Sequence, residues 1–410
     1  MLHETQQKCR IKGFYREMRF QETLVGKIPK EWSITTLEKV ANIKEETRGI
    51  KNTEGLVARI PMELIPVNGI YARYELVNGD DVRSYAIAKA GDILLAKITP
   101  SFENGKQGIV PENVPNGIAY VTTETYAITP LQIDRLFLFY LLKWKKYRKL
   151  LEYKMTGTTG RKRVPREALE NLQIPLPPLE EQRCVAEVLS SVDSAIETVD
   201  RLIEKLERIK QGLMQKTLTK GIGHKEFQET EIGKIPKEWQ VVKLETLFIL
   251  KNGKRPEVTR EGGEVPIYGA GFIQGYTDRF MINKEDVIII ARVGKGSAGK
   301  VYIASGKMWI SDNAIYAVPR VSDVYPMYYY YYLQYLHLDR IAVRGAAGGY
   351  SLLTQSSLSN LYVPLPSYEE QKQIASTLKS IDDWIEVEKK RKEKLERLKR
   401  GLMDLLLTGR

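Results

Sequence analysis

Residues Pro175 to Met214 read PLPPLEEQRCVAEVLSSVDSAIETVDRLIEKLERIKQGLM, and residues Pro364 to Met403 read PLPSYEEQKQIASTLKSIDDWIEVEKKRKEKLERLKRGLM. The two segments align without a gap from the first proline to the last methionine, and 21 of their 40 positions are identical. Self-similarity of this quality indicates one structural unit used twice. We therefore expect a pseudo-twofold internal repeat.

Both segments have the pattern of a long helix. In the first copy apolar residues recur at steps of three and four over about four heptads, from Val185 to Leu213. A helix of about 38 residues spans about 57 Å, and its apolar stripe needs a cover, for which the other copy is the nearest match. The second copy follows with Ile374, Ile381, Trp384, Leu395, Leu398 and Leu402 but is interrupted by polar residues at Thr377, Glu388 and Arg391.

A second repeat marks the start of each half. Phe20 to Trp32 reads FQETLVGKIPKEW, and Phe227 to Trp239 reads FQETEIGKIPKEW. Between each leader and its helix lies a region whose sequence differs between the halves. Both regions combine short strand-like runs (Asp92–Ala96, Asp286–Val293) with a closing helix (Asp134–Leu151, Pro326–Ile341) and a glycine-rich loop, which predicts α+β domains.

The predicted organisation has five parts. They are an N-terminal extension (1–19), a first globular domain (20–174), a first long helix (175–220), a second globular domain (221–363) and a second long helix (364–410). A chain of 410 residues is long enough for two or three domains.

Composition limits the class of protein. The net charge of +12 and the isoelectric point of about 9.3 favour a polyanionic partner, most often nucleic acid. Cys9 and Cys184 are the only cysteines, which predicts no disulfide framework and fits a reducing cytoplasm. Three scattered histidines offer no zinc-ligand spacing, and no apolar run reaches the roughly 18–20 residues of a membrane span.

Motifs for catalysis are absent from the sequence. Gly294 to Lys300, GKGSAGK, approaches a phosphate-binding loop, but β-rich sequence follows it instead of a helix, and Val301 offers no hydroxyl for magnesium. A tight hairpin is the better interpretation. No Ser–His–acid set, no methyltransferase base-holding motif and no nuclease carboxylate–lysine cluster is evident, so we predict no catalytic residues, no metal and no cofactor.

Several polar loops have the residue types that contact phosphates and base edges. For each position the alternative is an ordinary polar loop. The candidate DNA-binding residues are Lys97, Thr99, Ser101, Asn104, Lys106, Gln107, Arg161, Lys162 and Arg163 in the first half, and Lys254, Arg255, Arg279, Arg292, Lys295, Ser297, Lys300 and Arg344 in the second. The run Tyr328–Tyr332 could stack on bases, although a half-buried helix explains it better.

Taken together, these segments resemble the specificity (S) subunit of type I restriction-modification systems. The resemblance rests on the doubled GKIPKEW leaders, the doubled EEQ helix entries and the LERIKQGLM and LERLKRGLM helix ends. It also rests on DILLAKITPSFENGK, PIYGAGFIQGYTDRF and SDNAIYAV within the variable regions, and it covers Phe20 to Arg410.

The resemblance implies an architecture and a set of partners. Each variable region would be a target recognition domain that reads one half of a bipartite, asymmetric site on double-stranded DNA. The two long helices would pack as an antiparallel coiled coil, with two methyltransferase (M) subunits docked on them, and two restriction (R) subunits can join. The polar interruption at Glu388 and Arg391 would mark a surface for the M subunits.

Two other functions stay open at this point. The chain could be the recognition part of a fused restriction-modification enzyme, or a nuclease whose site the sequence does not reveal. It could also be a coiled-coil scaffold that binds only proteins.

Overall fold

The computed structural model describes residues 19–23, 26–44, 55–158, 160–256, 263–294, 296–341, 343–344 and 351–409. Of residues 343, 344 and 351 only the backbone is described. Apart from Arg19, the N-terminal extension lies outside these ranges. The chain forms two compact units: unit 1 comprises Met1–Arg201 with Lys390–Arg410, and unit 2 comprises Leu202–Lys389.

Unit 1 holds the first globular domain. Its strands are β1 (Phe20–Thr23), β2 (Gly26–Pro29), β3 (Ser33–Thr36), β4 (Ala41–Ile43), β5 (Leu56–Ile60), β6 (Glu75–Asn78), β7 (Ala86–Lys89), β8 (Ile93–Ala96), β9 (Gln107–Ile109), β10 (Ile118–Val121), β11 (Thr125–Pro130) and β12 (Gln173–Leu176). Its helices are α1 (Leu37–Val40), α2 (Arg135–Lys143), α3 (Lys145–Tyr153), α4 (Arg166–Glu170) and the start of α5 (Leu179–Lys220), with 3-10 turns at Met62–Leu64, Gly79–Val82 and Pro115–Gly117.

Two four-stranded sheets form the body of this domain, in the orders β6-β5-β10-β7 and β4-β11-β8-β9. All pairs are antiparallel except β10 with β5. Strand β8 is buried along its whole length, as its continuous run of apolar residues predicts. The main core of unit 1 combines this sheet with α2, α3 and the helical residues Val185, Ala186 and Leu189.

The predicted helix Asp134–Leu151 is two helices, because Trp144 has an extended backbone between α2 and α3. The Asp134 carboxylate caps the start of α2 by accepting from the Phe137 amide at 2.9 Å. The Trp144 indole donates to Asp404 Oδ1 at 2.7 Å. This long-range bond, which no local pattern reveals, holds the residue at the break.

Unit 2 repeats the arrangement with different strands. They are β13 (Phe227–Thr230), β14 (Gly233–Pro236), β15 (Gln240–Lys243), β16 (Phe248–Asn252), β17 (Val265–Gly269), β18 (Phe272–Thr277), β19 (Ile282–Ala291), β20 (Val301–Ile310), β21 (Ala314–Pro319), β22 (Val343–Arg344), β23 (Ser351–Leu352) and β24 (Tyr362–Leu365). The helices are α6 (Leu244–Leu247), α7 (Pro326–Tyr335), α8 (Gln355–Ser359) and α9 (Tyr368–Leu406), with a 3-10 turn at Leu338–Arg340.

A six-stranded sheet in the order β16-β21-β19-β20-β17-β18 dominates unit 2. Helix α7 packs on it through the tyrosine run. Tyr328, Tyr329, Tyr331 and Tyr332 are all buried, so the run is a core element and neither a stacking platform nor a half-exposed helix.

Two long helices, α5 with 42 residues and α9 with 39, confirm the helical repeat. They run antiparallel within each unit, because residue numbers that rise on one helix pair with numbers that fall on the other. In unit 1 Asp193 pairs with Lys399 and Asp200 with Lys392, both at 2.6 Å. In unit 2 Lys210 pairs with Asp382 at 2.6 Å and Glu207 with Lys389 at 3.0 Å.

The apolar stripe of α9 differs from the predicted one. Trp384 and Leu398 are 55% and 51% exposed, whereas Glu388 is only 7% exposed. Glu388 stands at the position of Val199 in the helical repeat, which is 3% exposed, so the carboxylate occupies an interior position of the stripe. Cys9 lies outside the described residues.

The doubled leaders anchor the domains to the helices in the same way in both units. The Trp32 indole donates to Glu181 Oε2 at 3.1 Å, and the Trp239 indole donates to Glu370 Oε2 at 2.9 Å. The glutamine that follows each glutamate is buried, and its Oε1 accepts the backbone amide of Asp134 or Tyr325 at 2.8 Å, just before α2 or α7. The KEW and EEQ repeats are therefore two sides of one structural contact.

Candidate nucleic-acid interface

In unit 1 the candidate loop connects β8 to β9. Its backbone folds on itself, with the Asn104 amide donating to Pro100 O and the Lys106 amide donating to Ser101 O. The segment 160–163 lies beside it: the Thr99 amide donates to Lys162 O at 2.9 Å, and Ile98 forms an antiparallel bridge with Arg163. Two stretches that are far apart in the sequence thus form one surface.

Buried polar side chains support this loop from beneath. Gln107 is fully buried and donates to Phe139 O at 2.7 Å, while Arg148 donates to Gln107 Oε1 at 2.7 Å and to Phe102 O at 3.1 Å. Because α2 ends at Lys143, the carbonyl of Leu142 is available to Arg148 Nε at 2.9 Å. Arg148 thereby ties the loop to the two helices behind it.

The structure buries two of the predicted DNA contacts and partly buries a third. Gln107 is a support of the loop, as its burial shows. Lys97 is 8% exposed, with its ammonium 5.1 Å from the centre of the Tyr126 ring. Lys106 is half-buried and donates to Met62 O. Polar residue type alone did not reveal that these side chains point inwards.

Lys143 was not singled out from the sequence. It is half-buried at the end of α2, and its ammonium nitrogen lies 2.5 Å from Val67 O and 2.8 Å from Gly105 O. Burial, together with the positive charges of Arg148 and Lys399, lowers the pKa of Lys143 to about 7. The base of the loop therefore contains a lysine that exchanges its proton near neutral pH.

The other candidates of unit 1 are accessible. Asn104, Arg161, Lys162 and Arg163 are exposed, and Thr99 and Ser101 are half-buried. Thr99 Oγ1 donates to Glu103 Oε1 at 2.6 Å, and Arg163 forms an ion pair with Glu124 at 2.6 Å. Amide, hydroxyl and cationic groups thus share one face of the loop.

In unit 2 the corresponding loop, 294–300, connects β19 to β20. These strands pair antiparallel, so the GKGSAGK segment is a hairpin turn, as predicted. Gly299 has a φ of +87°, and a Cβ there would come within 2.3 Å of the Asp339 amide nitrogen, so glycine is required. Ser297 is half-buried, and its hydroxyl donates to Val293 O at 3.2 Å, which closes the turn.

Neighbouring segments complete this surface. Val293 forms a bridge with Leu352 of β23, and the Leu353 amide donates to Arg292 O at 2.9 Å. The turn 311–314 accepts two backbone hydrogen bonds. The Arg292 amide donates to Asn313 O, and the Gly253 amide donates to Ala314 O, both at 2.9 Å. Lys254 follows Gly253 and is exposed, as are Arg255 and Lys300. A cavity of about 540 Å³ lies behind the hairpin, between it and the residues Gln334, His337 and Asp339.

Three candidates of unit 2 are not placed in this cluster. Lys295 lies outside the described residues, and of Arg344 only the backbone is described, in β22. Arg279 is exposed after the edge strand β18, which β17 separates from β20 and its hairpin. Strand β18 also presents Phe272, Ile273 and Tyr276, which the sequence patterns did not single out as exposed.

Metal and membrane sites are two further possibilities. Over the described ranges no group of three or more His, Cys, Asp or Glu side chains could hold a metal ion. None of the helices in the described part of the chain is long and apolar enough to cross a membrane.

Comparison with known families gives one match that covers both halves. The type I restriction modification DNA specificity domain matches residues 29–208 and again residues 236–397. The chain is 32% identical to the putative type I restriction enzyme MjaX specificity subunit of Methanocaldococcus jannaschii, over 97% of each chain. It is 29% identical to the MjaVIII specificity subunit of the same organism, over 98% of this chain and 97% of the relative.

Solved structures show the same fold. The S subunit of a type I restriction-modification system from M. genitalium superposes with a TM-score of 0.59 and 19% identity, over 92% of this chain and 96% of that chain. A chain from a study of complex assembly in a type I restriction-modification system superposes with a TM-score of 0.56 and 21% identity, over 93% and 99% of the two chains.

Proposed function

The chain belongs to the type I restriction modification DNA specificity family, and from this premise we propose that its two units read the two unlike halves of one bipartite DNA site. As a specificity subunit it recognises DNA and leaves the chemistry to other subunits. The DNA-facing surface of unit 1 would be the loop residues 99–105 with segment 160–163, and that of unit 2 the described residues of the hairpin 294–300 with its neighbours.

One observation carries this proposal. In both units an irregular loop follows a buried strand. The chain at the start of this loop forms a β-bridge with the segment that precedes a short helix, Ile98 with Arg163 in unit 1 and Val293 with Leu352 in unit 2. Both domains are also anchored through the same Trp–Glu contact. The loops that stand in these equivalent places are unlike in sequence. An asymmetric site of two halves requires two unlike recognition surfaces, and here these surfaces are held by the same repeated scaffold.

The accessible side chains suit the two tasks of DNA recognition. Asn104 and Thr99 can contact base edges, and Arg161, Lys162 and Lys300 carry charge towards phosphates. The net charge of +12 supplies a long-range attraction to the duplex that weakens as salt rises.

The proposed partners are two methyltransferase subunits, which two restriction subunits can join. Of the two residues proposed for this contact, Arg391 is exposed and is retained, whereas Glu388 is buried and is withdrawn. Trp384 and Val387, at 55% and 59% exposure, lie on the same stretch of α9 and offer an apolar contact for a methyltransferase subunit. A burial of this kind would remove two large side chains from water.

The test exchanges one variable region at a time. Residues 240–360 are replaced by the corresponding region of another specificity subunit, and methylation is mapped across a host genome that carries the matching methyltransferase gene. We expect only one half of the recognised site to change. The matched control replaces residues 33–173 and should change only the other half. A change at both halves in either exchange contradicts the proposal.

A second measurement separates this function from the two alternatives. The purified chain should neither cut nor methylate DNA when magnesium or S-adenosylmethionine is added, since activity would indicate a fused or unseen enzyme. The logarithm of its affinity for duplex DNA should fall linearly with the logarithm of the salt concentration. A chain that does not bind DNA at low salt would be a protein scaffold instead.

A further inference from the structure

Each unit contains one cluster of three side chains, here called a joint, in which a tyrosine and a lysine both bond to the carboxylate of one aspartate. In unit 1 the Tyr140 hydroxyl of α2 donates to Asp193 Oδ2 of α5 at 2.8 Å. Lys399 of α9 donates to the other oxygen, Asp193 Oδ1, at 2.6 Å, and its ammonium lies 5.6 Å from the centre of the Tyr140 ring. The recognition domain and both long helices meet at this one carboxylate.

In unit 2 the same joint is built with the two long helices exchanged. The Tyr331 hydroxyl of α7 donates to Asp382 Oδ2 of α9 at 2.8 Å. Lys210 of α5 pairs with Asp382 Oδ1 at 2.6 Å and lies 5.4 Å from the centre of the Tyr331 ring. The two aspartates stand at equivalent positions of the helical repeat, and so do the two lysines. The duplication therefore placed one acceptor and one lysine on each helix.

These joints fix which residues of the two helices lie opposite each other. Asp193 is 8% exposed, and a buried carboxylate is costly unless both of its oxygens are satisfied, as they are here. A shift of α9 by one helical turn would place Leu395 or Met403 where Lys399 now lies. The corresponding shift in unit 2 would bring Leu206 or Met214 to Asp382. Each alternative leaves a carboxylate against an apolar side chain, and the cost is larger at the buried Asp193 than at Asp382, whose side chain is 32% exposed.

The tyrosine of each joint also connects to the DNA-facing loop. Helix α2 carries Tyr140 towards the long helices, while its Phe139 carbonyl accepts from Gln107 and its Lys143 contacts Gly105 O. In unit 2, Gln334 of α7 donates to Val301 O, directly after the hairpin 294–300, at 3.4 Å. One short helix therefore lies between the joint and the reading loop in both units.

Both phenols stay hydrogen-bond donors over the physiological pH range. Burial and the neighbouring aspartate raise the pKa of Tyr140 and of Tyr331 far above the usual value.

We propose that Tyr140–Asp193–Lys399 and Tyr331–Asp382–Lys210 are positioning residues that fix the register of the long helices and hold each recognition loop on them, and so set the number of base pairs between the two half-sites. This inference rests on the proposed reading of a bipartite site. In this proposal the aspartate–lysine pair determines the spacing between the half-sites. The tyrosine determines the orientation of the recognition loop in its own unit.

The test uses the full chain in complex with its methyltransferase subunits and a set of duplexes in which the half-sites are separated by different numbers of base pairs. Wild-type protein should methylate one spacing. The Lys210→Asp variant places two carboxylates together and should spread methylation over at least two spacings. The double variant Lys210→Asp with Asp382→Lys restores the ion pair and should return methylation to the single wild-type spacing.

Two further variants separate positioning from stability. Tyr331→Phe removes one oxygen atom, keeps the ion pair, and should lower kcat/KM by about tenfold while leaving the preferred spacing unchanged, as expected for one lost hydrogen bond to a charged group. Arg208→Asp reverses a charge in the ion pair with Glu204, which is exposed and lies on the same helix as Lys210, and serves as the matched control. It should change neither spacing nor rate.

The proposal is overturned if Lys210→Asp lowers the unfolding temperature with the spacing unchanged, or if the double variant does not recover the single spacing. It is also overturned if Arg208→Asp spreads the spacing as much as Lys210→Asp does. A wild-type complex that methylates duplexes of every spacing would refute the bipartite reading itself, which is a separate outcome.

Discussion

Replacing Arg148 by methionine should release the loop of unit 1 that we propose contacts DNA. The change removes three hydrogen bonds but retains an unbranched apolar side chain in the buried space. Phe102 O keeps a partner, since the Gly105 amide donates to it at 2.9 Å, whereas Gln107 Oε1 has no second hydrogen-bond partner among the described residues. A buried acceptor without a partner costs about 1–3 kcal/mol, and each of the other lost bonds costs about 1 kcal/mol.

The expected destabilisation is therefore about 3–5 kcal/mol, or roughly 10 °C in the unfolding midpoint of a unit of this size. Calorimetry and denaturant titration measure it, and Lys149→Met, an exposed change on the same helix, is the control. Discrimination should fall only at the half-site that the exchange of residues 33–173 assigns to unit 1. A midpoint that equals that of the control, or an equal loss at both half-sites, would refute the role given to Arg148.

Three other perturbations test separate parts of the structure. Trp32→Phe and Trp239→Phe each remove one hydrogen bond from an indole to a glutamate. Each should lower the free energy of unfolding, measured by denaturant titration, by about 1–2 kcal/mol. If either variant is as stable as the wild type, the two anchors are not equivalent. Since the pKa of Lys143 is lowered to about 7, unfolded protein binds more protons between that pH and the usual pKa of 10.5, so stability should rise with pH across this window. Lys143→Met should flatten that rise in thermal melts at a series of pH values, and an unchanged slope would argue against the shift. Arg161→Ala and Lys162→Ala should each lower the slope of log affinity against log salt by about one without changing sequence preference, as titrations at several salt concentrations will show.

The long helices could be predicted because their evidence is local and repeated. Period, length and the gapless match of the two copies all lie in the sequence itself, and both helices are present. The break at Trp144 could not be predicted in the same way, because Asp404 lies 260 residues further along the chain.

The exposure of the candidate DNA-binding residues was predictable only in part. Asn104 and Lys162 are exposed, as a contact with DNA requires, whereas Gln107 and Lys97 have the same polar character and are buried. Arg148 escaped notice because a cation on a helix is usually solvated. Residue type determines which hydrogen bonds a side chain can form, but the partner it contacts depends on the folded structure.

The joints of the long helices did leave a signal in the sequence. Asp193 and Asp382 are identical positions of the repeat, and so are Lys210 and Lys399. The opposite charges of these aspartates and lysines are compatible with pairing across the two helices, but the heptad pattern predicts only the apolar contacts. The tyrosines leave no such signal, since they lie in the regions where the halves differ.

The reciprocal joints have a consequence for how the two units can be perturbed. Each long helix carries one aspartate and one lysine at matching places, so it supplies the acceptor of one joint and the cation of the other. A substitution at Lys210 or Asp382 therefore disturbs the joint of unit 2 and leaves both charged partners of the joint in unit 1 in place.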